Sequence, residues 1–458
     1  MERKEKLFLS ENILFEDDFL NGGVLVDFNG KIKNILSRCD IERNDYLQNS
    51  SIQIFYFDSK VLMPGIIDTH VHINEPGRTD WEGFETATKA AAAGGITTII
   101  DMPLNSIPPT TTLKNLKTKL DAAKNQIWVD VGFWGGVVPG NENELLNMIK
   151  AGVVGFKCFL TPSGVDEFEY VRKEDVEKTI KILENTGSVL AFHAEFEEND
   201  ICEGDPTKYE TFLKTRPEKM EEDAIKFIID LSRRYNTKLH IVHLSTATCL
   251  ETIQKAKLKG NLTVETCHHY LTFNSENIPD KATEYKCCPP IRTKENKEKL
   301  WIIGLGDDII DMVVSDHSPS TPDLKKGGNF LTAWGGISSL QFGLSLFWTE
   351  LNKRNKKIFE ITKYMSQNTS KLVGLHNKKG KIKVGFDADF VIWDPNDFIT
   401  IVEEQIFHKN KITPYLGMKL KGKVFATVVR GEIVYKDGIF CDTKIGKLLI
   451  NEKIFGEI

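Results

Sequence analysis

The chain has 458 residues, 41% hydrophobic and 27% charged; this is an ordinary globular composition, too long for one compact core, so a large domain with a smaller one beside it is expected. Its 59 basic and 65 acidic residues are intermixed and give a net charge of −6. No basic block points to nucleic acid or an anionic membrane surface, and no apolar run is long enough to span a bilayer. The eight Cys include no C-x-x-C pair, so neither a zinc ribbon nor a thioredoxin motif is indicated. Scattered thiols fit a reducing compartment, with cytosol as the default. The opening MERKEKLFLS has no apolar h-region and does not read as a secretory signal; the closing IFGEI is no peroxisomal tripeptide.

Residues 1–60 read as short strands with turns, Gly22-Gly23 and Asn29-Gly30 punctuating apolar stretches such as Val24–Phe28. From Ile66 the pattern changes to eight short apolar runs: Ile66–Ile73, Thr97–Leu104, Ile127–Val138, Val153–Leu160, Ser188–Glu195, Leu239–Leu244, Leu262–Tyr270 and Asp311–Ser315. Helical patterns lie between them, including Trp81–Ala93, Leu113–Asn125, Val176–Glu184 and Glu218–Arg234. Runs buried on both faces and joined by helices argue a parallel sheet. Eight such units over roughly 250 residues predict a (β/α)8 TIM barrel spanning 61–380. From about Lys381 the chain is β-rich again, with Asp389–Trp393, Phe425–Val429 and Glu432–Tyr435. Residues 1–60 and 381–458 are therefore expected to form one small β-sandwich domain beside the barrel.

Active sites of such barrels sit at the C-terminal ends of the strands. Run one ends in Asp68-Thr69-His70-Val71-His72, and positions i and i+2 of a strand share a face, so His70 and His72 point the same way. Run five ends at His193, run six at His243 and run eight at Asp316. Imidazole and carboxylate at four strand ends form a donor set suited to Zn2+ and similar divalent ions.

Run four places Lys157 inside the apolar strand Gly155-Phe156-Lys157-Cys158-Phe159-Leu160. A buried ammonium must be paired or lose its charge. One reading pairs it with a barrel carboxylate such as Asp101. The other has the neutral amine capture carbon dioxide as a carbamate that bridges two metals; beside so many ligand positions, this second reading is favoured.

The run Pro64-Gly65-Ile66-Ile67-Asp68-Thr69-His70-Val71-His72 resembles the opening motif of the amidohydrolase superfamily. The run Gly380-Lys381-Ile382-Lys383-Val384-Gly385-Phe386-Asp387-Ala388-Asp389 resembles its return into the small β-domain. Within the superfamily the chain is similar to the cyclic amidohydrolases, which include dihydroorotase, dihydropyrimidinase and allantoinase. The allantoinase pattern is approached most closely, through Asn74–Gly83, Asp101–Ser106, Lys157-Cys158-Phe159, Lys286–Arg292, Asp316–Pro319 and Ala333–Gly336.

The resemblance implies that His70, His72, carbamylated Lys157 and Asp316 hold one metal, and Lys157, His193 and His243 the other. Zinc is the first candidate for both ions, and no ligand position is replaced. It further implies a homotetramer and hydrolysis of the hydantoin ring amide of allantoin to allantoate by a metal-activated hydroxide. Asp316 would be both ligand and proton shuttle. The alternatives are a dihydropyrimidinase or hydantoinase and, from a different class, a non-catalytic scaffold relative. Dihydroorotase carries an arginine two residues after the second His to grip a carboxylate; here Asn74 stands there, which favours a neutral, urea-rich substrate over an acid. The same pattern offers Asn105, Ser163, Cys287, Ser318 and Trp334 as further substrate contacts. His240, three residues before His243, is expected to face away from it and pack in the core, and His317 to face away from Asp316. Glu195 and Glu265 either orient imidazoles or face solvent.

Overall fold

The computed structural model describes residues 4–198, 203–258 and 260–456. The Pro64–His72 stretch opens a series of parallel strands alternating with helices. One sheet runs in the order Met312–Val314, Leu262–Cys267, Lys238–Ile241, Val189–His193, Gly155–Phe159, Gly135–Gly136, and another runs Ile66–Val71, Ile96–Asp101, Asp130–Phe133. Only Trp134 separates Asp130–Phe133 from Gly135–Gly136, so one stretch of chain serves both sheets. Just past Val314, a parallel bridge pairs His317 with Val71. The strands Ile66–Val71, Ile96–Asp101, Gly155–Phe159 and Val189–His193 are buried at every residue, as expected where both faces are covered.

The helices follow the apolar periodicity. Glu218–Arg234 buries Ala224, Ile225, Ile228, Ile229 and Leu231 along one face. It carries Glu218 and Glu221 in its first turn and Arg233 and Arg234 in its last, which complements the helix dipole. Two elements depart from the sequence reading. The run Leu262–Tyr270 stops being strand at Cys267, and His268–Thr272 is helix; an apolar run does not by itself distinguish the two periods. The helix expected from Trp81 begins at Phe84, after Gly83 at φ 139°, which leaves Trp81 in the preceding loop.

Both chain ends meet in one nine-stranded sheet. Val61–Pro64 is the joint: it pairs parallel with Glu5–Phe15 and antiparallel with Phe390–Thr400. One apolar cluster mixes Phe8, Val24 and Leu62 with Phe390, Ile392 and Val428. Among the described residues no helix is long and apolar enough to cross a membrane.

A buried ion cluster ties this sheet to the parallel strands. Lys379 Nζ reaches Asp389 at 2.6 Å, Asp130 at 2.8 Å and Asp387 at 3.1 Å. Arg430 pairs with Asp130 and donates its backbone N–H to Asp389. Asp130 opens a parallel strand, while the other members belong to the chain's C-terminal part. Removing one partner from a buried ion group typically costs about 3–5 kcal/mol, because the remaining charges stay buried. Lys379→Met is therefore expected to lower the denaturant midpoint strongly, with Lys379→Arg much less damaging; tryptophan fluorescence in a urea titration checks this.

Candidate metal centre

The strand ends bring the sequence-derived ligands together. His70 and His72 leave Ile66–Val71 and its edge, Lys157 comes from Gly155–Phe159, and His193 closes Val189–His193. His243 and Asp316 follow Lys238–Ile241 and Met312–Val314 by two residues. His70 Nε2 and His72 Nε2 lie 3.2 and 3.6 Å from Asp316 Oδ1, and these three residues form a candidate metal-holding group. His193 Nδ1 is 3.1 Å from His243 Nε2. All six residues are buried.

The outward nitrogens of the imidazoles are held from behind. His70 Nδ1 meets Glu265 Oε1 at 2.5 Å, and His193 Nε2 meets Glu195 Oε2 at 2.6 Å. Asn105 Nδ2 lies 3.3 Å from His72 Nδ1. A carboxylate that accepts a proton on the far nitrogen leaves the near nitrogen free to ligate. Burial alone would raise the Glu265 carboxyl, but His70 and His240 outweigh it and hold it at about 2. Arg216 and His193 likewise overcome burial and keep Glu195 below the usual carboxylate range. Burial pushes His72 down to about 4 and His243 well below its ordinary value. These imidazoles are neutral, the form that binds metal.

Lys157 Nζ has no hydrogen-bond partner, and burial lowers its pKa to about 8. The pairing with Asp101 considered from sequence is absent: Asp101 is bound by Lys119. His243 Nδ1 is also without a partner. Three donors with atoms within 4.8 Å of one another, beside an unpartnered buried amine and imidazole, fit a divalent cation centre.

The backbone bends sharply at the same place. Asn74, Asn105, His243 and Asp316 all have positive φ, at 65°, 66°, 39° and 43°. Such conformations cost about 1–3 kcal/mol each and cluster at functional sites. They also correct the alternation argument for His240. The strand ends at Ile241 and His243 turns left-handed, so the parity of the two residues no longer decides which way each points. His240 Nε2 bonds Glu265 Oε2 at 3.0 Å, joining the layer behind His70 rather than only packing in the core. His317 does turn away, to Glu82 at 3.1 Å.

A cavity of about 70 Å3 opens onto the cluster, and Asn105, Ser163, Cys287, Ser318 and Trp334 are among its lining residues. Asn74 is not; its Nδ2 donates to Pro319 O at 3.2 Å and its Oδ1 has no partner. Ser163 Oγ is engaged by Phe168 O at 2.6 Å. Asn105 Oδ1 and Trp334 Nε1 are buried without partners on the cavity wall.

Sequence reasoning missed the supports of this wall. Lys325 Nζ bonds the carbonyls of Gly336 at 2.7 Å and Trp334 at 3.1 Å, and Lys286 Nζ bonds that of Ala333 at 2.6 Å. Arg78 spans Glu167 and the Asn105 carbonyl, and Trp81 packs edge-on against Trp334 at 4.8 Å. Lys286 and Arg78 stand inside the motif runs, but only the fold reveals what they reach.

The profile of the Amidohydrolase family matches residues 61–434. A protein named Allantoinase from Streptomyces avermitilis is 48% identical over 396 residues, 86% of this chain and 88% of its own. One named Allantoinase, mitochondrial, from Aquarana catesbeiana is 53% identical over 365 residues, 76% of this chain and 75% of its own. Among solved structures, the L-hydantoinase (dihydropyrimidinase) of Arthrobacter aurescens superimposes with a TM-score of 0.88 at 28% identity, covering 97% of this chain and 99% of that one.

Partners behind a metal ligand are typically worth about 10–100-fold in metal affinity. Glu265→Gln and Glu195→Gln are each expected to weaken divalent-metal retention by that factor, measured by metal analysis after dialysis against graded chelator.

Proposed function

The chain belongs to the Amidohydrolase family, and on that footing we propose that the cluster around Lys157 holds two divalent metal ions and serves the hydrolysis of a cyclic amide. The chain is a hydrolytic enzyme whose activity is that of an allantoinase, converting allantoin and water to allantoate. The single observation that carries the site assignment is the convergence of four imidazoles, one carboxylate and one unpartnered buried amine at five strand ends.

In this reading residues 61–380 close into a (β/α)8 barrel and 1–60 with 381–458 form the smaller β-sandwich. The bridge between Val71 and His317 supports the closure. His70, His72, Lys157 and Asp316 hold one ion, and Lys157, His193 and His243 the other, with Lys157 carried as the carbamate. Zinc is the first choice for this nitrogen and oxygen set. Assembly as a homotetramer belongs to the same proposal.

When bound, two such ions supply a water activated at neutral pH and polarise the scissile carbonyl. Asp316 does the proton work. Burial would raise its carboxyl, but His70 and His72 hold it below the usual range, so it is ionised and ready to accept a proton from water. A group of low proton affinity also releases that proton readily to the departing ring nitrogen. Asn105 Oδ1 as acceptor and Trp334 Nε1 as donor are the wall atoms free to pair with a urea group. Ser163, Cys287 and Ser318 complete the contact surface, with Asn74 shaping the loop behind it.

A panel of allantoin, hydantoin, dihydrouracil and dihydroorotate on purified, metal-replete enzyme tests the substrate. Allantoin should be strongly preferred, and equal rates on dihydrouracil would transfer the assignment to a dihydropyrimidinase. Asp316→Ala should lower kcat by about 10²–10⁴-fold with a much smaller change in KM, since proton transfer lies in the chemical step. Near-normal turnover would remove Asp316 from that role.

A further inference from the structure

Asp316 belongs to two three-donor groups at once. Besides His70–His72–Asp316, the ligand atoms of Cys267, His269 and Asp316 all lie within 4.8 Å of one another, and all three residues are buried. Cys267 is the last residue of Leu262–Cys267, and His269 is the second of the short helix His268–Thr272. The end of one strand and the helical turn that follows it thus bring a thiol and an imidazole beside the Asp316 carboxylate.

The His269 imidazole is what makes this group unusual. It is fully buried, and neither of its ring nitrogens has a hydrogen-bond partner. A neutral imidazole carries one donor and one acceptor, and buried polar atoms are rarely left unpaired. The nearest polar neighbour in sequence does not supply a partner, because the Tyr270 hydroxyl donates to Pro289 O at 2.7 Å while its ring packs edge-on against His269. The imidazoles that line the cavity each have a bond on at least one nitrogen: His70 to Glu265, His72 to Asn105, and His193 to Glu195 and His243. His269 and its neighbour His268 both lack a partner on either ring nitrogen, and of the two only His269 falls in a three-donor group, with a thiol and a carboxylate.

Sulfur, nitrogen and oxygen in one group form a donor set for a borderline cation such as Zn2+ or Co2+. A carboxylate has two oxygens and serves two ions at once. We propose that Cys267, His269 and Asp316 form a third metal site, filled only when Zn2+ or a similar ion exceeds the pair at the working centre, and that filling it inhibits the enzyme. On binding, the Cys267 S–H bond breaks, its proton goes to solvent and a sulfur–metal bond forms; no electron is transferred. The site itself stands on geometry alone. Its inhibitory consequence rests on the proton role of Asp316 argued above, since a carboxylate bound to a further cation no longer accepts a proton.

No ligand of the working centre is a thiol, and Cys287 and Cys288 on the cavity wall remain in Cys267→Ser, so the sulfur-to-cobalt charge-transfer absorption in the near ultraviolet that this variant loses reports the third site. Enzyme loaded with two Co2+ per chain is titrated with further Co2+ while absorbance and allantoin hydrolysis are followed together. A third equivalent should raise the band as activity falls. In Cys267→Ser the band should be absent and activity at two equivalents retained. The inhibitory midpoint should rise at least about tenfold, since even a ligand's outer partner is worth that much. His269→Gln, which keeps the side chain's volume, should raise the midpoint in the same way and stands in if the serine variant does not fold. No band in the wild type at excess Co2+, or a band undiminished in Cys267→Ser, overturns the site. Enzyme that is active with two metals and develops no band at any excess of Co2+ refutes this inference and leaves the proposed function intact; a band in protein whose hydrolysis does not depend on metal refutes the proposed function instead.

Discussion

The amine of Lys157 sits inside a strand buried at every residue, with no acceptor in reach, and the surrounding groups are arranged about that fact. Burial opposes an ammonium there although the Glu265 and Asp316 carboxylates favour it, and its charge is among the influences that lower His72, His193 and His243. The carboxylate best placed by sequence to neutralise it, Asp101, is already committed to Lys119. The lowered pKa brings the neutral amine within easier reach, and that is the form of lysine that takes up carbon dioxide. In the proposed carbamate form an anionic head would turn the position from a liability in the strand into a bridging ligand matched to two cations.

The outer layer follows from the same requirement. Neutral imidazoles ligate usefully only if the correct nitrogen faces inward, and Glu265 and Glu195 fix that choice from behind for His70 and His193. Those carboxylates need charge partners of their own: Arg216 holds Glu195, while Glu265 is shared between His70 and His240. Polar order therefore extends two layers from the centre before the apolar core begins. The left-handed backbone at His243 and Asp316 marks where the chain leaves its strand to deliver a side chain inward.

Much of this was legible in the sequence because strand periodicity and ligand chemistry reinforce each other. Each of the eight apolar runs overlaps a strand, and the six ligand candidates line one cavity, five of them at or just past C-terminal strand ends and Lys157 inside its strand. Legibility failed where the regular period stops. The alternation that assigned His240 to the core lapses at Ile241, and the run through Tyr270 changes from strand to helix at Cys267. Asn74, flagged by its place after the second His, proved to bond a neighbouring carbonyl and not to line the cavity. Lys286, Lys325 and Arg78 escaped notice as functional residues because their partners are backbone carbonyls or loops distant in sequence. No local pattern encodes such contacts.

The state of the Lys157 tip tests the account most directly. Metal-loaded, active protein should carry the mass of one added carbon dioxide per chain under native conditions. Isotope-labelled carbon dioxide should give a carbamate signal that is absent from Lys157→Ala. An unmodified ammonium at Lys157 in enzyme that is fully metal-loaded and active would contradict the account.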